Sequence, residues 1–272
     1  MKNLRLLIEN LSCECLQGSL DTEVQSVVYD SRKVEKGSLF VCIRGAVVDG
    51  HTFVNEVVEK GARVLVVEEP VNVPKEVTVL QVSDTRYALA LISCAWFDHP
   101  AKKLKTIGVT GTKGKTTTVY MVQSILENAG YKVGLIGTIE TIIGDRHIPS
   151  ENTTPESYLV QQYFSEMVEE GCDCVVMEVS SQALMLHRCG GITFDFGEDH
   201  IGPNEHSSFE QYLECKKRLL SQCRIGIVNR DDEHFEEIID GHTCELETYG
   251  FSQEADLRAT DEKLVTYPGY LG

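Results

Sequence analysis

Between Thr106 and Leu126 the sequence passes through three kinds of segment. A short apolar run, Thr106-Ile107-Gly108-Val109, leads into Thr110-Gly111-Thr112-Lys113-Gly114-Lys115-Thr116-Thr117-Thr118. Val119-Tyr120-Met121-Val122-Gln123-Ser124-Ile125-Leu126 follows, with apolar residues at helical spacing. A buried strand, a glycine turn carrying Lys-Thr and a helix, in that order, form the context of a phosphate-binding loop. Glycines let backbone N–H groups turn inward around a phosphate, and the helix N-terminus adds a positive field and unused donors. In such a loop Lys115 reaches the terminal phosphates and the Thr116 hydroxyl holds Mg²⁺. The strict pattern has Gly five positions before Gly114, where Val109 stands, so this is a variant loop.

The rest of the chain repeats the alternation that this unit begins. After Lys105–Val109 (strand) and Thr116–Ala129 (helix), the pattern predicts a strand over Val133–Ile139. It predicts a hairpin partner at Thr141–Ile143 with a turn at Gly144-Asp145. A helix is expected over Pro155–Glu170, a strand over Cys174–Val179, a helix over Phe209–Leu220 and a strand over Ile225–Asn229. This implies a mostly parallel sheet with helices on both faces, whose ligands sit at the carboxyl ends of the strands. The loop, Glu178-Val179-Ser180-Ser181 and Asn229-Arg230-Asp231-Asp232 should therefore meet on one edge. Asp231 and Asp232 suit either a nucleotide role or the capping of a following helix. Before residue 100, strand-like runs at Gln25–Tyr29, Leu39–Ile43, Ala62–Val67 and Val77–Val82 alternate with helical patterns at Phe53–Lys60 and Thr85–Phe97. Asp98-His99-Pro100-Ala101-Lys102-Lys103 reads as a boundary. It divides a small N-terminal α/β domain (1–99) from a P-loop-type, mostly parallel α/β domain (100–272).

The chain has 272 residues, of which 42% are hydrophobic, enough for two packed cores. No apolar run approaches the ~20 residues of a membrane span, and Met1-Lys2-Asn3-Leu4-Arg5 leads into a mixed helix with Glu9 and Asn10 rather than a signal peptide. A net charge of −17 argues against nucleic acid as a partner but not against a bound nucleotide, which a local nest of donors and one Lys can hold. The ten cysteines include no Cys-x-x-Cys pair. Cys172 and Cys174 read as small apolar packers on one side of a strand, and all ten read as reduced thiols of a cytoplasmic protein. A monomer is expected. His187 and His206 have no partner legible in the sequence.

Several of these segments, taken in order, resemble the Mur ligases. They are Gly111–Thr118, Asn152-Thr153-Thr154-Pro155, Met177-Glu178-Val179-Ser180-Ser181 with Arg188, Glu198-Asp199-His200, and Tyr212-Leu213-Glu214-Cys215-Lys216. Asp30-Ser31-Arg32-Lys33-Val34, Gly37-Ser38-Leu39-Phe40-Val41 and Asp49-Gly50-His51 narrow the resemblance to the MurE branch of UDP-N-acetylmuramoyl-tripeptide synthetases. The resemblance runs from about residue 25 to about residue 260. It implies a ligase of peptidoglycan precursor synthesis: ATP phosphorylates the carboxylate of a UDP-N-acetylmuramoyl-peptide, and the amine of an incoming amino acid displaces phosphate.

By the same resemblance Gly111, Thr112, Lys113, Gly114, Lys115, Thr116 and Thr117 bind ATP. Thr116 and Glu178 hold a first Mg²⁺, and His200 and Lys216 belong to a second metal position. The family lysine at the place of Lys216 carries a carbamate, which requires a neutral amine before it reacts with CO₂. Lys115, Glu178, His200 and Lys216 are then the catalytic set. Ser31 of the uridine-binding N-terminal domain, Asn152, Thr153, Thr154, Ser180 and Arg188 bind the sugar nucleotide. Thr153-Thr154-Pro155 also fits a helix N-cap with Pro in the first turn.

The chain departs from the family pattern in two places. The family strand ends in Phe-Thr-Asn before the acidic-Asp-His motif, whereas here Thr193-Phe194-Asp195-Phe196-Gly197 runs straight into Glu198-Asp199-His200. About five or six residues are missing, more than a trivial loop change. Since a strand advances ~3.3 Å per residue, a disturbed sheet and a displaced His200 are expected, with the second metal site weakened and the first retained. The sequence also contains neither the Asp-Asn-Pro-Arg motif nor the third domain of a full ligase, as in a fragment, a truncated product or a degenerate paralogue. The alternatives that follow are a non-catalytic nucleotide- or UDP-sugar-binding module, and another ligase of the superfamily of the folylpolyglutamate or cyanophycin synthetase type. The Asp-Ser-Arg-Lys signature disfavours the second of these. The boundary itself is testable: residues 1–99, made alone, are expected to show folded circular dichroism and to bind UDP. An unfolded fragment, or one indifferent to UDP, would put the boundary elsewhere.

Overall fold

The computed structural model describes residues 1–45, 48–111, 113–200 and 209–262, without the side chains of 199, 200, 209–212, 215 and 216. The first half contains β1 (Lys2–Asn3), α1 (Leu4–Leu7), β2 (Glu14–Gln17), β3 (Glu23–Val24), β4 (Ser26–Val28) and β5 (Ser38–Val41). α2 (Val54–Glu59), β6 (Val64–Val67), β7 (Thr78–Gln81) and α3 (Thr85–Trp96) follow. Among the described residues, five strands form a sheet in the order β2-β7-β6-β5-β4, parallel except for the edge strand β2. β5 and β6 are buried at every position, the pattern of strands covered on both faces. One face packs on α1 and α3 through Leu4, Leu7, Leu89 and Ile92, the other on α2 through Val54 and Val57.

The second half contains β8 (Lys105–Gly111), α4 (Lys115–Asn128), β9 (Val133–Ile136), β10 (Glu140–Ile143), β11 (Arg146–Pro149), α5 (Ser157–Glu169), β12 (Cys174–Glu178) and α6 (Ser181–Met185). β13 (Phe194–His200), α7 (Phe209–Ser221), β14 (Cys223–Asn229), α8 (Phe235–Ile239), β15 (Glu245–Gly250) and β16 (Leu257–Arg258) complete it. Among the described residues these strands form a nine-stranded sheet, β11-β10-β9-β12-β8-β13-β14-β15-β16. It is antiparallel only at the β9-β10-β11 edge. α4 covers one face, with Val119 packed on Val109, Leu135 and Val176. α5, α7 and α8 cover the other, where Phe164, Leu219 and Ile238 join Val175, Met177 and Phe194. Helices on both faces follow from the unbroken apolar run of β12, which has no polar face to offer water.

Several expectations need correction. β9 stops at Ile136; a turn at 137–139 leads into β10, and the Gly144-Asp145 turn leads to β11, which the sequence did not announce. β11 is a mostly exposed edge strand and β15 a half-buried strand next to the other edge, so no apolar pattern marks them. The N-terminal helix ends at Leu7, before Glu9. α5 is capped by Glu156, whose carboxylate accepts from Ser157 N at 2.9 Å, so Thr154 is not the helix cap. Cys172 and Cys174 are both buried, but they join different faces of the sheet because the strand starts only at Cys174. His187 has a partner after all: its Nε2 lies 3.4 Å from Asp84 Oδ2 and its ring stands edge-on to Tyr87.

The largest correction concerns the shortened segment. β13 is whole, paired with β14 from Phe194↔Cys223 to Asp199↔Val228 and with β8 from Phe196↔Ile107 to His200↔Gly111. The expected disturbance of the sheet does not occur. A parallel ladder is closed by backbone groups that are indifferent to side chain, so Glu198-Asp199-His200 takes up the positions at the strand's end. A whole β13 offers no broken strand on which a non-catalytic module would rest. Phe194, fully buried at the start of β13, anchors this register. Phe194→Ala is expected to lower stability by about 3–5 kcal/mol in urea unfolding; a loss below ~1 kcal/mol would mean that this strand does not begin in the core.

Candidate functional site

β8, β12, β13 and β14 run parallel, so the segments that leave their carboxyl ends lie on one edge. Gly111 ends β8, and Gly114 stands before α4 with φ +86°, a left-handed conformation that a residue with a Cβ adopts only at a cost. The first bond of α4 runs from Thr118 N to Gly114 O at 2.8 Å. Among the described residues the amides of Lys115, Thr116 and Thr117 at the helix N-terminus have no partner, and Gly114 has no side chain with which to cap them. The Lys115 ammonium is folded back onto Gly111 O at 2.6 Å, so its charge already sits over the loop. Lys113 and Thr117 are exposed and Thr116 is half-buried. Thr112 lies outside the described residues.

Next to the loop, β12 delivers Glu178. Its register partner on β8 is Val109, and the following Val179 N donates to Val109 O at 2.8 Å. Glu178 is fully buried. A buried carboxylate is costly unless donors surround it, and both of its oxygens have one: Thr138 N donates to Oε1 at 2.8 Å and the Thr138 hydroxyl to Oε2 at 2.9 Å. Gly137 makes this possible, because a Cβ there would lie 2.7 Å from Oε1. Through β8, Glu198 of β13 falls in the same register row as Glu178, and Glu198 Oε1 accepts from the Tyr249 hydroxyl at 3.2 Å. The backbone of His200 pairs with Gly111, at the start of the loop. The side chains of His200 and Lys216, and all of His206, lie outside the description. Lys216 is on α7, as expected, and its neighbour Lys217 turns away to pair with Asp240 at 3.0 Å. Among the described residues no group of three or more His, Cys, Asp or Glu side chains forms a ready metal cluster.

Thr154, fully buried, fastens the exit of β12. Its hydroxyl donates to Glu178 O at 2.8 Å and accepts from Ser180 N at 3.0 Å, while Ser180 Oγ accepts from Ala183 N at 3.1 Å to cap α6. Beside this clasp opens a cavity of about 630 Å³ lined by Thr138, Asn152, Thr153, Ser180, Gln182 and Arg188, among others. Arg188 donates from Nη1 to Thr154 O at 2.9 Å. Its Nε is buried without a hydrogen bond, 3.8 Å from Glu156 Oε2. Five of the six sugar-nucleotide candidates thus meet around this cavity.

The sixth, Ser31, lines a second cleft of about 570 Å³ with Tyr29, Phe40 and Phe53, which also takes in Arg86 and Glu156. Asp30 shapes its rim: its carboxylate accepts from Arg32 N and from the Arg32 guanidinium, which holds it down at about 2. Burial, with Glu156 nearby, pushes the Tyr29 hydroxyl up to about 12. Glu156 joins the two spaces. Its Oε2 is 3.2 Å from Arg86 Nη1 and 3.8 Å from Arg188 Nε.

Arg86, Glu156, Thr138 and Tyr29 were not legible as site residues. Each sits inside or beside an ordinary helix, turn or strand pattern, and only Glu156, directly after Pro155, and Tyr29, directly before Asp30, stood beside a motif. Asp231 and Asp232 bond backbone amides, but neither caps α8, which has no side-chain cap: Asp231 accepts from Phe251 N and Ser252 N in the turn after β15, and Asp232 from His234 N in the turn before α8.

A family model described as the Mur ligase middle domain matches residues 109–267, and one described as Mur ligase family, catalytic domain, matches residues 23–96. The UDP-N-acetylmuramoyl-L-alanyl-D-glutamate–2,6-diaminopimelate ligase of Clostridium perfringens is 40% identical over 271 residues, covering 96% of this chain and 56% of that protein. Ligase 1 of the same name from Clostridium acetobutylicum is 43% identical over 272 residues, covering 97% and 55%. The chain thus spans about half the length of the curated relatives it matches. A solved structure of a diaminopimelate ligase of that name superposes with a TM-score of 0.79 at 21% identity, over 93% of this chain and 53% of the other. MurF from Acinetobacter baumannii gives 0.61 at 23%, over 91% and 53%. At these identities the two structures show likeness of fold.

Thr138 supplies both donors to Glu178, so Thr138→Val, which keeps the amide and removes the hydroxyl, is expected to cost about 1–3 kcal/mol in chemical unfolding. An unchanged midpoint would show that Glu178 does not depend on that hydroxyl.

Proposed function

The chain belongs to the Mur ligase family, and from that we propose that it carries the UDP-sugar-binding and ATP-binding parts of a ligase that adds an amino acid to UDP-N-acetylmuramoyl-dipeptide. The names of the relatives make 2,6-diaminopimelate the amino acid to test first. We assign residues 1–99 to the uridine end of the substrate and residues 100–272 to ATP. The observation that carries the reading is a fully buried carboxylate, Glu178, on the strand beside a Gly-Lys-Thr loop whose helix amides have no partner among the described residues.

The proposed reaction is two displacements. The dipeptide carboxylate attacks the γ-phosphorus of ATP to give an acyl phosphate and ADP, and the incoming amine displaces phosphate from the acyl carbon. Phosphoryl transfer of this kind is mostly positioning and charge neutralisation. The amides of Lys115, Thr116 and Thr117 would cradle phosphate oxygens, with Gly111, Thr112, Lys113 and Gly114 shaping the turn. Lys115 would exchange Gly111 O for a phosphate oxygen. Thr116 and Glu178 suit a first Mg²⁺ as hard oxygen donors beside the loop; His200 and a carbamylated Lys216 would serve a second. Mg²⁺ held there would neutralise charge on the transferring phosphoryl group. Asn152, Thr153, Thr154, Ser180 and Arg188 surround a space fitted to the substrate's pyrophosphate and sugar, and Ser31 lines the cleft for uridine. The fork of Arg188, held at one end by Thr154 O, suits phosphate oxygens.

The direct test is ATP-dependent phosphate release by the longest natural reading frame containing this chain, given UDP-N-acetylmuramoyl-L-alanyl-D-glutamate and 2,6-diaminopimelate. For this chain alone, Lys115→Ala is expected to weaken ATP binding at least tenfold by calorimetry, with unchanged circular dichroism, since a charge-assisted contact contributes roughly 1.5–3 kcal/mol. Equal affinity in variant and parent would remove the loop from ATP binding.

A further inference from the structure

The nine-stranded sheet has a second polar cavity, at the opposite end of its strands from the phosphate loop. It has a volume of about 640 Å³ and lies where β8, β13 and β14 begin, under the turn of Pro100–Lys103 and beside α5. β8 runs from Lys105 at this cavity to Gly111 at the loop, so the two are about 20 Å apart. None of the residues assigned above to ATP, metal or UDP-sugar lines it.

Its charge runs against that of the chain. Lys102, Lys103, Lys105 and Arg224 line it, against Asp173 and Asp195, in a protein of net charge −17. Both acids are already engaged. Asp195 accepts from Thr106 N at 3.0 Å and pairs with Arg224 at 3.4 Å and Lys105 at 3.8 Å, and Asp173 accepts from Lys132 N at 2.8 Å. The ammonium groups of Lys102 and Lys103 have no hydrogen bond or ion pair among the described residues, and Lys102 already depresses the pKa of His99, after burial the second cause of that shift.

The second observation is independent of charge. Gln161 of α5 lines the same cavity at 1% exposure, and its Oε1 has no hydrogen-bond partner. An unmatched buried acceptor is costly, and a ligand with a donor group would satisfy it. The volume is that of a small-molecule site and exceeds what a bare phosphate fills.

We infer that this cavity binds a small phosphomonoester bearing hydroxyl groups, its phosphate facing Lys102 and Lys103 and a hydroxyl donating to Gln161 Oε1. Such a ligand would span the segment that joins α3 to β8 and the start of the large sheet, bracing the two halves of the chain against each other. A sugar phosphate and a nucleoside monophosphate share this chemistry.

The test is a titration of the ¹⁵N-labelled chain by NMR, with Mg²⁺-ADP present throughout to occupy the loop. The probes are ribose 5-phosphate, UMP, inorganic phosphate and ribose. Saturable shifts of the Gln161 side-chain amide and of the Lys102, Lys103 and Thr193 backbone amides are expected with ribose 5-phosphate or UMP. The tighter of the two names the source. The exposed double variant Lys102→Glu/Lys103→Glu is expected to weaken that binding at least tenfold while leaving the folded spectrum elsewhere unchanged. Gln161→Leu, similar in volume, should weaken the ester severalfold and leave inorganic phosphate alone. Absence of shifts at 10 mM ester, shifts confined to residues 111–118, or binding indifferent to the charge reversal would each overturn the inference. Inorganic phosphate binding as tightly as the esters would overturn the role given to Gln161.

Discussion

The pairing of β12 with β8 is the constraint on which the site depends. Five consecutive registered pairs, Cys174↔Lys105 to Glu178↔Val109, fix where β12 ends relative to the loop. A slip of one residue would turn Glu178 to the other face of the sheet and exchange Val176 and Met177 between two cores. The apolar cost of that exchange is what holds the carboxylate in place. Glu178 could not hold itself there, because a buried charge opposes folding until Thr138 supplies its donors. Gly137 is the complementary concession: the turn must approach a carboxylate oxygen where no Cβ fits.

From that point the site spreads through short polar links rather than through one cavity. Thr154 ties Glu178 O to Ser180 N, and Arg188 is tied to Thr154 O. Glu156, two residues after Thr154, reaches Arg188 on one side and Arg86 of α3 on the other. Arg86 belongs to the first sheet's layer and Arg188 to the second. A carboxylate between two guanidiniums therefore links the edge of the Ser31 cleft to the Arg188 cavity.

The whole β13 shows what a sheet tolerates. A segment shortened before an acidic-Asp-His motif reads, in sequence alone, as the loss of part of a central strand. The ladder instead takes the motif's own residues, since its bonds are made by the backbone and the apolar anchor, Phe194, stays at the strand's start. What such a change can alter is which side chains stand at the strand's end, and there Glu198 enters the register row of Glu178.

The sequence by itself determined the alternating architecture, the loop at residues 110–118 and the convergence of strand ends, because each is written in local periodicity and in glycine and lysine spacing. It marked Glu178, Thr154, Ser180 and Arg188 through motifs contiguous along the chain. Tertiary structure alone decided the rest: that Thr138 satisfies Glu178, that Arg86 and Arg188 share Glu156, that Asp231 holds the turn at Phe251 and Ser252, and that four cations gather below the sheet around Gln161. Each of these joins residues from separate elements, and a hydrogen bond or ion pair leaves no periodic trace in sequence. β11 at one edge of the sheet and β15 next to the other were missed for a related reason: they bury too little to carry a pattern, and only their neighbours' open backbone groups make them strands.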